Sequence, residues 1–90
     1  MHGEDDDWTP VAPCVELTKK LKSSHLPATI IVYPRAYHGF DSPGGKVTHL
    51  PNVHNPLASG ERGAYVGGHE PSRLKAIEDV NRFIDHNLAR

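Results

Sequence analysis

The sequence contains a single cysteine, Cys14. One cysteine cannot form a disulfide within the chain, so covalent cross-linking of that kind is excluded. Disulfides are rare in reducing compartments, and a chain without them is typical of such a compartment. We therefore expect a cytoplasmic protein.

Long apolar runs and an excess of either charge are also missing. No apolar segment approaches the roughly 20 residues that a membrane-spanning helix needs. The acidic residues 4–7 are the opposite of the basic start of a signal peptide. Ten basic side chains against eleven acidic ones give a formal net charge of −1, which offers no basic surface to nucleic acid. The sequence therefore predicts a protein that binds neither a membrane nor nucleic acid.

The length of 90 residues allows one domain at most, close to the lower limit for burying a stable core. Two segments have the apolar spacing of helices. In residues 10–24, Thr9 is the predicted N-cap and Pro10 the first helical residue. The second helix covers residues 71–88. The apolar stripes consist of Cys14, Leu17 and Leu21 in the first helix and of Leu74, Ile77, Val80, Ile84 and Leu88 in the second. We expect both stripes to face the core, with Cys14 as a small buried residue.

One segment, ATIIVY at residues 28–33, is typical of a strand. It is apolar on both faces, which is the pattern of a strand inside a parallel sheet covered by helices. Residues 42–70 are rich in Gly, Pro, His and Asn, with only a weak strand pattern at residues 46–50. Loops this long are uncommon in compact domains, so we expect this one to be functional or disordered.

A doubly buried strand needs a neighbour on each side, and the sequence offers no other convincing strand. Either other chains supply the rest of the sheet, or the sequence is the end of a longer protein. A strand edge without a partner leaves hydrogen-bonding groups free to pair with another chain. Apolar stripes exposed to water forgo the free energy that burial would provide. We therefore expect self-association, most simply as a symmetric dimer through residues 28–33 or the terminal helix.

Two titratable side chains stand where strands of a parallel sheet would end. Asp6, in GEDDDWTP, precedes the first helix, and His38, in YPRAYHGFD, follows the predicted strand. The carboxyl ends of parallel strands are where α/β folds place ligands and catalytic groups. An aspartate beside a histidine orients the imidazole and stabilises its charged form, as in the acid–base half of a nucleophilic triad. Gly39 would give this turn its backbone freedom, and Phe40 would anchor it in the core.

The same residues carry a family resemblance. The motif G-x-x-D-x-x-x-P at residues 3–10, a helix, a strand, H-G-F at residues 38–40 and a final helix resemble the C-terminal part of the dienelactone hydrolase family. The resemblance implies an α/β-hydrolase fold with an incomplete sheet, and a Cys (or Ser)–His–Asp triad that opens an ester or lactone. It implies Asp6 as the triad acid, His38 as the triad base, a small-molecule substrate and no cofactor.

We therefore expect residues 1–90 to form a single partial domain. Its parts are the acid-bearing turn (1–9), a helix (10–24), a strand (28–33), the histidine loop (34–41), a long loop (42–70) and the C-terminal helix (71–88).

Two features of the family are missing from the sequence. The nucleophile motif G-x-[CS]-x-G does not occur, and neither Cys14 nor any serine has its glycine frame. Family members also carry an arginine four residues after the histidine, which helps to hold the substrate carboxylate; this chain has Ser42. The resemblance therefore implies an ester or lactone hydrolase, while the isolated chain is expected to be inactive for lack of a nucleophile.

Other functions stay open. The chain could be a non-catalytic module that self-associates or binds a partner, with Asp6 merely favouring a helix start. It could also belong to another α/β-hydrolase branch, an esterase or a peptidase. His49, His54 and His69 suggest zinc, but their spacing matches no established ligand pattern and no cysteine accompanies them. No metal site is therefore expected.

Overall fold

The computed structural model describes residues 1–88 and has mixed α/β content, as predicted. The elements are β1 (His2–Gly3), α1 (Val11–Ser23), β2 (Val32–Tyr33), β3 (Val47–His54), a 3₁₀ turn (Ser59–Glu61), β4 (Arg62–Gly67) and α2 (Glu70–Leu88). The described residues form two sheets of two strands each, which is compatible with the predicted partial fold. Within residues 1–88, no helix is long and apolar enough to cross a membrane.

Strands β1 and β2 form a short parallel pair, with His2 opposite Val32 and Gly3 opposite Tyr33. The pair brings the start of the chain beside the histidine loop. Gly3 is needed at this point, because a Cβ there would collide with the carbonyl oxygen of Ala36.

The predicted strand at residues 28–33 is correct in place but too long. Only Val32–Tyr33 is strand, because β1 offers only two residues for pairing before the chain turns at Asp6, whose N–H bonds Gly3 O. Ile31 is 37% exposed, so the expected burial of both faces is also wrong. The apolar pattern was that of a central strand, but pairing partners decide how far a strand extends.

The core is small and lies behind β2. Its buried members are Tyr33, Ala36, Phe40 and Ala76. The rings of Tyr33 and Phe40 lie 5.1 Å apart, which confirms the predicted anchoring of the histidine loop by Phe40. The Tyr33 hydroxyl donates a 2.7 Å hydrogen bond to Oδ2 of Asp79 and so ties α2 to the strand.

That hydrogen bond shifts the pKa values of both Asp79 and Tyr33. Accepting it from Tyr33 lowers the pKa of Asp79, helped by the nearby Lys75 and Arg82, although burial opposes the effect. Burial, together with the same carboxylate, raises the pKa of the Tyr33 phenol. The hydroxyl therefore stays a donor at neutral pH.

Helix α1 begins at Val11, after Pro10, so the predicted N-cap at Thr9 is wrong. The helix contains no buried residue; Cys14 is exposed, and Leu17 is 57% exposed. The predicted burial of Cys14 and Leu17 is wrong, and Leu21 is only half-buried.

Helix α2 begins at Glu70, one residue before the predicted start. Its buried residues are Ser72, Ala76 and Asp79 rather than the predicted apolar stripe. Four stripe members are exposed, namely Leu74, Ile77, Ile84 and Leu88, as is Phe83. The Asp79 carboxylate accepts a hydrogen bond from Tyr33, which places the face with Ser72, Ala76 and Asp79 on the core. The apolar face of the helix is therefore turned away from the core.

Residues 42–70, predicted as a long loop, contain an antiparallel hairpin of β3 and β4. The weak pattern at residues 46–50 marks the start of β3. The ladder is irregular between Leu50 and His54, where Pro51 has no N–H to donate. Most β3 side chains are exposed, so the strand lacks the apolar alternation that sequence patterns reveal.

Candidate active site

The histidine loop, residues 34–41, leaves β2 and carries His38 at its tip. Gly39 has φ 72°, a left-handed conformation that strains residues with a Cβ. The backbone on either side is fixed: Gly67 N–H donates to His38 O, and His69 N–H donates to Phe40 O, both at 3.0 Å. The side chain of His38 remains 39% exposed, so the imidazole is accessible to solvent.

The acid loop, residues 4–9, follows β1 and carries Asp6. Its carboxylate folds back on its own loop: Oδ1 accepts the N–H groups of Trp8 at 3.0 Å and Thr9 at 2.8 Å. Oδ2 accepts the Thr9 hydroxyl at 3.0 Å. The Asp6 side chain is only 6% exposed. The acid and histidine loops also touch directly, because Asp5 N–H donates to Ala36 O at 2.9 Å.

The structure brings the two predicted residues together. Nδ1 of His38 lies 3.0 Å from Oδ2 of Asp6, within hydrogen-bond distance. The predicted proximity is thus confirmed, while the catalytic role of the pair stays a prediction. A carboxylate at Nδ1 favours the tautomer with the proton on that nitrogen, which leaves Nε2 free to accept another proton.

Opposing effects set the charge of Asp6. Partial burial acts to raise the pKa of its carboxyl group. Hydrogen bonds from the Thr9 and Trp8 backbone, the Thr9 hydroxyl and His38 outweigh burial, so the pKa lies below its ordinary value. Asp6 is therefore a stable anion at neutral pH, suited to holding an imidazole rather than to donating a proton.

Three further side chains surround the pair. The ring of Trp8 lies 5.0 Å from that of His38, tilted by 52°. Nε2 of His2 lies 2.6 Å from Thr9 O and 3.7 Å from Asp6 Oδ2. Sequence reasoning did not assign Thr9 or His2 to the site. A threonine three residues after an aspartate is a local capping pattern and could have revealed Thr9, whereas His2 had no such signal.

A cavity of about 620 Å³ adjoins the pair, within the size range of small-molecule sites. On one side its lining includes Asp6, Thr9 and His38. On the other side α2 contributes Arg73 and apolar residues such as Ile77. The Asp6/His38 pair therefore faces a partly apolar cavity whose volume suits a small molecule.

The histidines that suggested zinc have other contacts. Nδ1 of His69 lies 2.6 Å from Ser72 Oγ, and the His49 ring lies 4.6 Å from that of Tyr65. Among the residues that the structure describes, no three His, Cys, Asp or Glu side chains are grouped closely enough to hold a metal ion.

The family model of the dienelactone hydrolase family matches residues 1–86. The chain belongs to the dienelactone hydrolase family. The match spans both the acid loop and the histidine loop, and it confirms the resemblance drawn from the two short motifs. No curated protein and no solved structure matches the chain significantly.

The described residues of this dienelactone hydrolase family member place no cysteine or serine at the candidate site. G-x-[CS]-x-G does not occur in the sequence, and no cysteine or serine is among the cavity-lining residues of the described chain. Cys14 is exposed on α1. Thr9 is close to the pair, but its hydroxyl lies 3.2 Å from Nδ1 and donates to Asp6, so it supports the acid.

Proposed function

We propose that this chain supplies the acid–base half of a hydrolase that opens an ester or lactone through a Cys (or Ser)–His–Asp triad, with Asp6 as the acid and His38 as the base. One observation carries the proposal: the 3.0 Å contact between Asp6 Oδ2 and His38 Nδ1 beside a cavity. Membership in the dienelactone hydrolase family supports the reaction class.

In this mechanism His38 moves one proton at a time. Its Nε2 takes the proton of the Cys or Ser nucleophile as that atom bonds to the acyl carbon. It then gives the proton to the leaving oxygen, which departs as an alcohol or, in a lactone, becomes a hydroxyl of the opened ring. Nε2 next takes a proton from the water that attacks the acyl-enzyme, and returns it to the nucleophile. Asp6 remains ionised and balances the imidazolium at each stage.

The nucleophile in this proposal comes from residues other than these 90, and the cavity is the space in which it meets His38. We propose, correspondingly, that β1 and β2 are neighbouring strands of a larger α/β-hydrolase sheet. The position four residues after His38 holds Ser42 rather than arginine, so the proposal names the substrate as an ester or lactone and goes no further.

The isolated chain should show no triad-type turnover. Without a nucleophile and an oxyanion hole, His38 can act only as a weak base on water and forfeits the large factors that those groups supply. The measurement is hydrolysis of p-nitrophenyl esters by the purified chain and by its His38→Ala variant. A rate well above that of free imidazole, lost in the variant, would reveal a nucleophile within these residues and contradict this part of the proposal.

The activity itself can be tested by fusion. Residues 1–88 would replace the corresponding segment of a dienelactone hydrolase that keeps its own G-x-[CS]-x-G motif. We expect the fusion to hydrolyse esters and His38→Gln to lower kcat by about 10⁴-fold or more. His86→Gln is the matched control, because His86 is exposed on α2. A folded fusion that is equally active with His38→Gln would refute the function.

We also propose that the chain is not a monomer: it self-associates or packs against further protein. The exposed side chains of Leu74, Phe83 and Ile84 on α2 support this proposal. A cytoplasmic location is proposed on a separate ground, because the exposed free thiol of Cys14 is chemically suited to a reducing compartment.

A further inference from the structure

The hairpin of β3 and β4 contacts the acid loop through three hydrogen bonds. Trp8 Nε1–H donates to His54 O at 2.9 Å. Asn55 Nδ2 donates to Asp7 O at 2.9 Å, and Tyr65 N–H donates to the Asp7 carboxylate at 3.1 Å. Two of these bonds end on the residue next to Asp6. The hairpin therefore holds the acid loop at the residues that follow the carboxylate.

The same hairpin also holds the histidine loop. His38 forms a parallel bridge with Val66 of β4, and Gly67 N–H donates to His38 O. One rigid element thus contacts both loops, independently of the side-chain contact between Asp6 and His38. The bonds from the Trp8 and Thr9 backbone to Asp6 lie within the acid loop. The two loops also meet directly, where Asp5 N–H donates to Ala36 O, and the hairpin adds a second connection between them.

Asn55 is the centre of this arrangement. It is 1% exposed, and its side chain is fully used: Nδ2 donates to Asp7 O and to Gly63 O, and Oδ1 accepts from Leu57 N–H. A buried amide with every hydrogen bond satisfied is rigid, and leaving one group unpaired is costly. An amide side chain can make all three bonds at once, because its nitrogen donates twice and its oxygen accepts.

We propose that the hairpin is a positioning device for the Asp6/His38 pair, with Asn55 and the Tyr65 N–H holding the acid loop at the distance that lets Asp6 bond His38. The inference rests on the proposed function in that it explains how the acid–base pair is held. Its test measures geometry rather than turnover, so it can fail while the fusion assay succeeds, and the reverse.

The first test compares two substitutions at the exposed residue Asp7. Asp7→Asn and Asp7→Ala remove the same charge beside Asp6, but only asparagine keeps an oxygen that can accept the Tyr65 N–H. The measured quantity is the solvent exchange rate of the His38 Nδ1 proton by NMR, assigned by its absence from His38→Gln. We expect exchange about tenfold faster in Asp7→Ala than in Asp7→Asn, the effect of one lost hydrogen bond. Equal rates in the two variants would overturn the proposal.

The second test replaces the buried amide itself. Asn55→Asp conserves shape but turns a carboxylate oxygen towards the carbonyl oxygens of Asp7 and Gly63, and Asn52→Asp on exposed β3 is the charge-matched control. We expect loss of the His38 Nδ1 proton signal in Asn55→Asp and its retention in Asn52→Asp. An Asn55→Asp variant that is folded by circular dichroism and keeps the wild-type signal would overturn the proposal. If that variant does not fold, the Asp7 pair decides alone.

Discussion

Two regions of the molecule differ in how their side chains are partnered: the acid and histidine loops with the β3–β4 hairpin, and the two helices. In the loop region, Asp6 and Asn55 are shielded from solvent and every polar atom of their side chains has a partner. Within residues 1–88, no buried side-chain nitrogen or oxygen atom lacks a hydrogen bond. The helices differ in their apolar side chains: α1 buries no residue, and α2 exposes four members of its apolar stripe.

The loop region finds its hydrogen-bond partners within the chain, whereas much of the apolar surface of the helices is not covered by it. The polar centre is positioned by hydrogen bonds that begin and end within these residues. The apolar helix faces have no such internal partner, and burying an aliphatic side chain is worth about 1.5–3 kcal/mol. The candidate site is therefore organised locally, while the helices leave apolar side chains exposed.

The largest expected effect comes from making the same substitution in both regions. Phe40 is 9% exposed in the core and Phe83 is 65% exposed on α2. Phe40→Ala should lower the free energy of unfolding by about 3 kcal/mol, because it empties part of a small core. Phe83→Ala should change it by less than about 0.5 kcal/mol. Urea unfolding at a concentration where the chain is monomeric measures both changes. Similar losses of unfolding free energy in the two variants would contradict the difference in burial between the core and α2.

The second prediction concerns association of the exposed helix face. Ile84→Glu places a charge on the apolar stripe of α2 and should weaken self-association by about tenfold or more, since it removes on the order of 1.4 kcal/mol. Sedimentation at micromolar concentration is the measurement. His86→Glu, at an exposed position on the same helix, should leave association unchanged. A wild-type chain that sediments as a compact monomer at these concentrations would contradict the prediction.

The third and smallest effect is the pH dependence that Asp6 brings to stability. Its pKa is lowered from the ordinary value of 3.8 by folding, so its contribution is complete above that value. The contribution is lost as the pH falls below 3.8 through the lower pKa of the folded state. Asp79 adds a similar dependence, so the informative quantity is the difference between the wild type and Asp6→Asn.

That difference should be constant at neutral pH and shrink as the pH falls below 4. Thermal unfolding in a series of buffers measures it. A difference that stays constant down to pH 2 would mean that the pKa of Asp6 is the same in the folded and unfolded chain.

The short motifs were enough to predict that Asp6 and His38 lie together, but not which residues hold them there. The prediction was possible because the carboxyl ends of neighbouring parallel strands lie at the same edge of a sheet. The extent of the strand at residues 28–33 could not be predicted, because it depends on what pairs with it. Burial of Cys14 and Leu17 was predicted wrongly for a related reason: periodicity shows which face is apolar, not whether anything covers it.

The hairpin escaped prediction for a different reason. Most side chains of β3 are exposed, and β4 contains two glycines among its six residues, so neither strand shows a regular apolar alternation. Asn55 is a typical turn residue in sequence, and only the fold reveals that its amide is buried and joined to Asp7. Positioning residues of this kind act through backbone carbonyls, which leave no trace in residue type.

NMR of the His38 imidazole reports on the hydrogen bond between the Asp6 carboxylate and Nδ1 of His38. The wild type should show a protected, strongly downfield Nδ1 proton, and Asp6→Asn should lose that protection. Asp5→Asn removes the neighbouring exposed carboxylate and should retain the proton as in the wild type. An Nδ1 proton that is equally protected in Asp6→Asn, or absent from the folded wild type, would contradict the account.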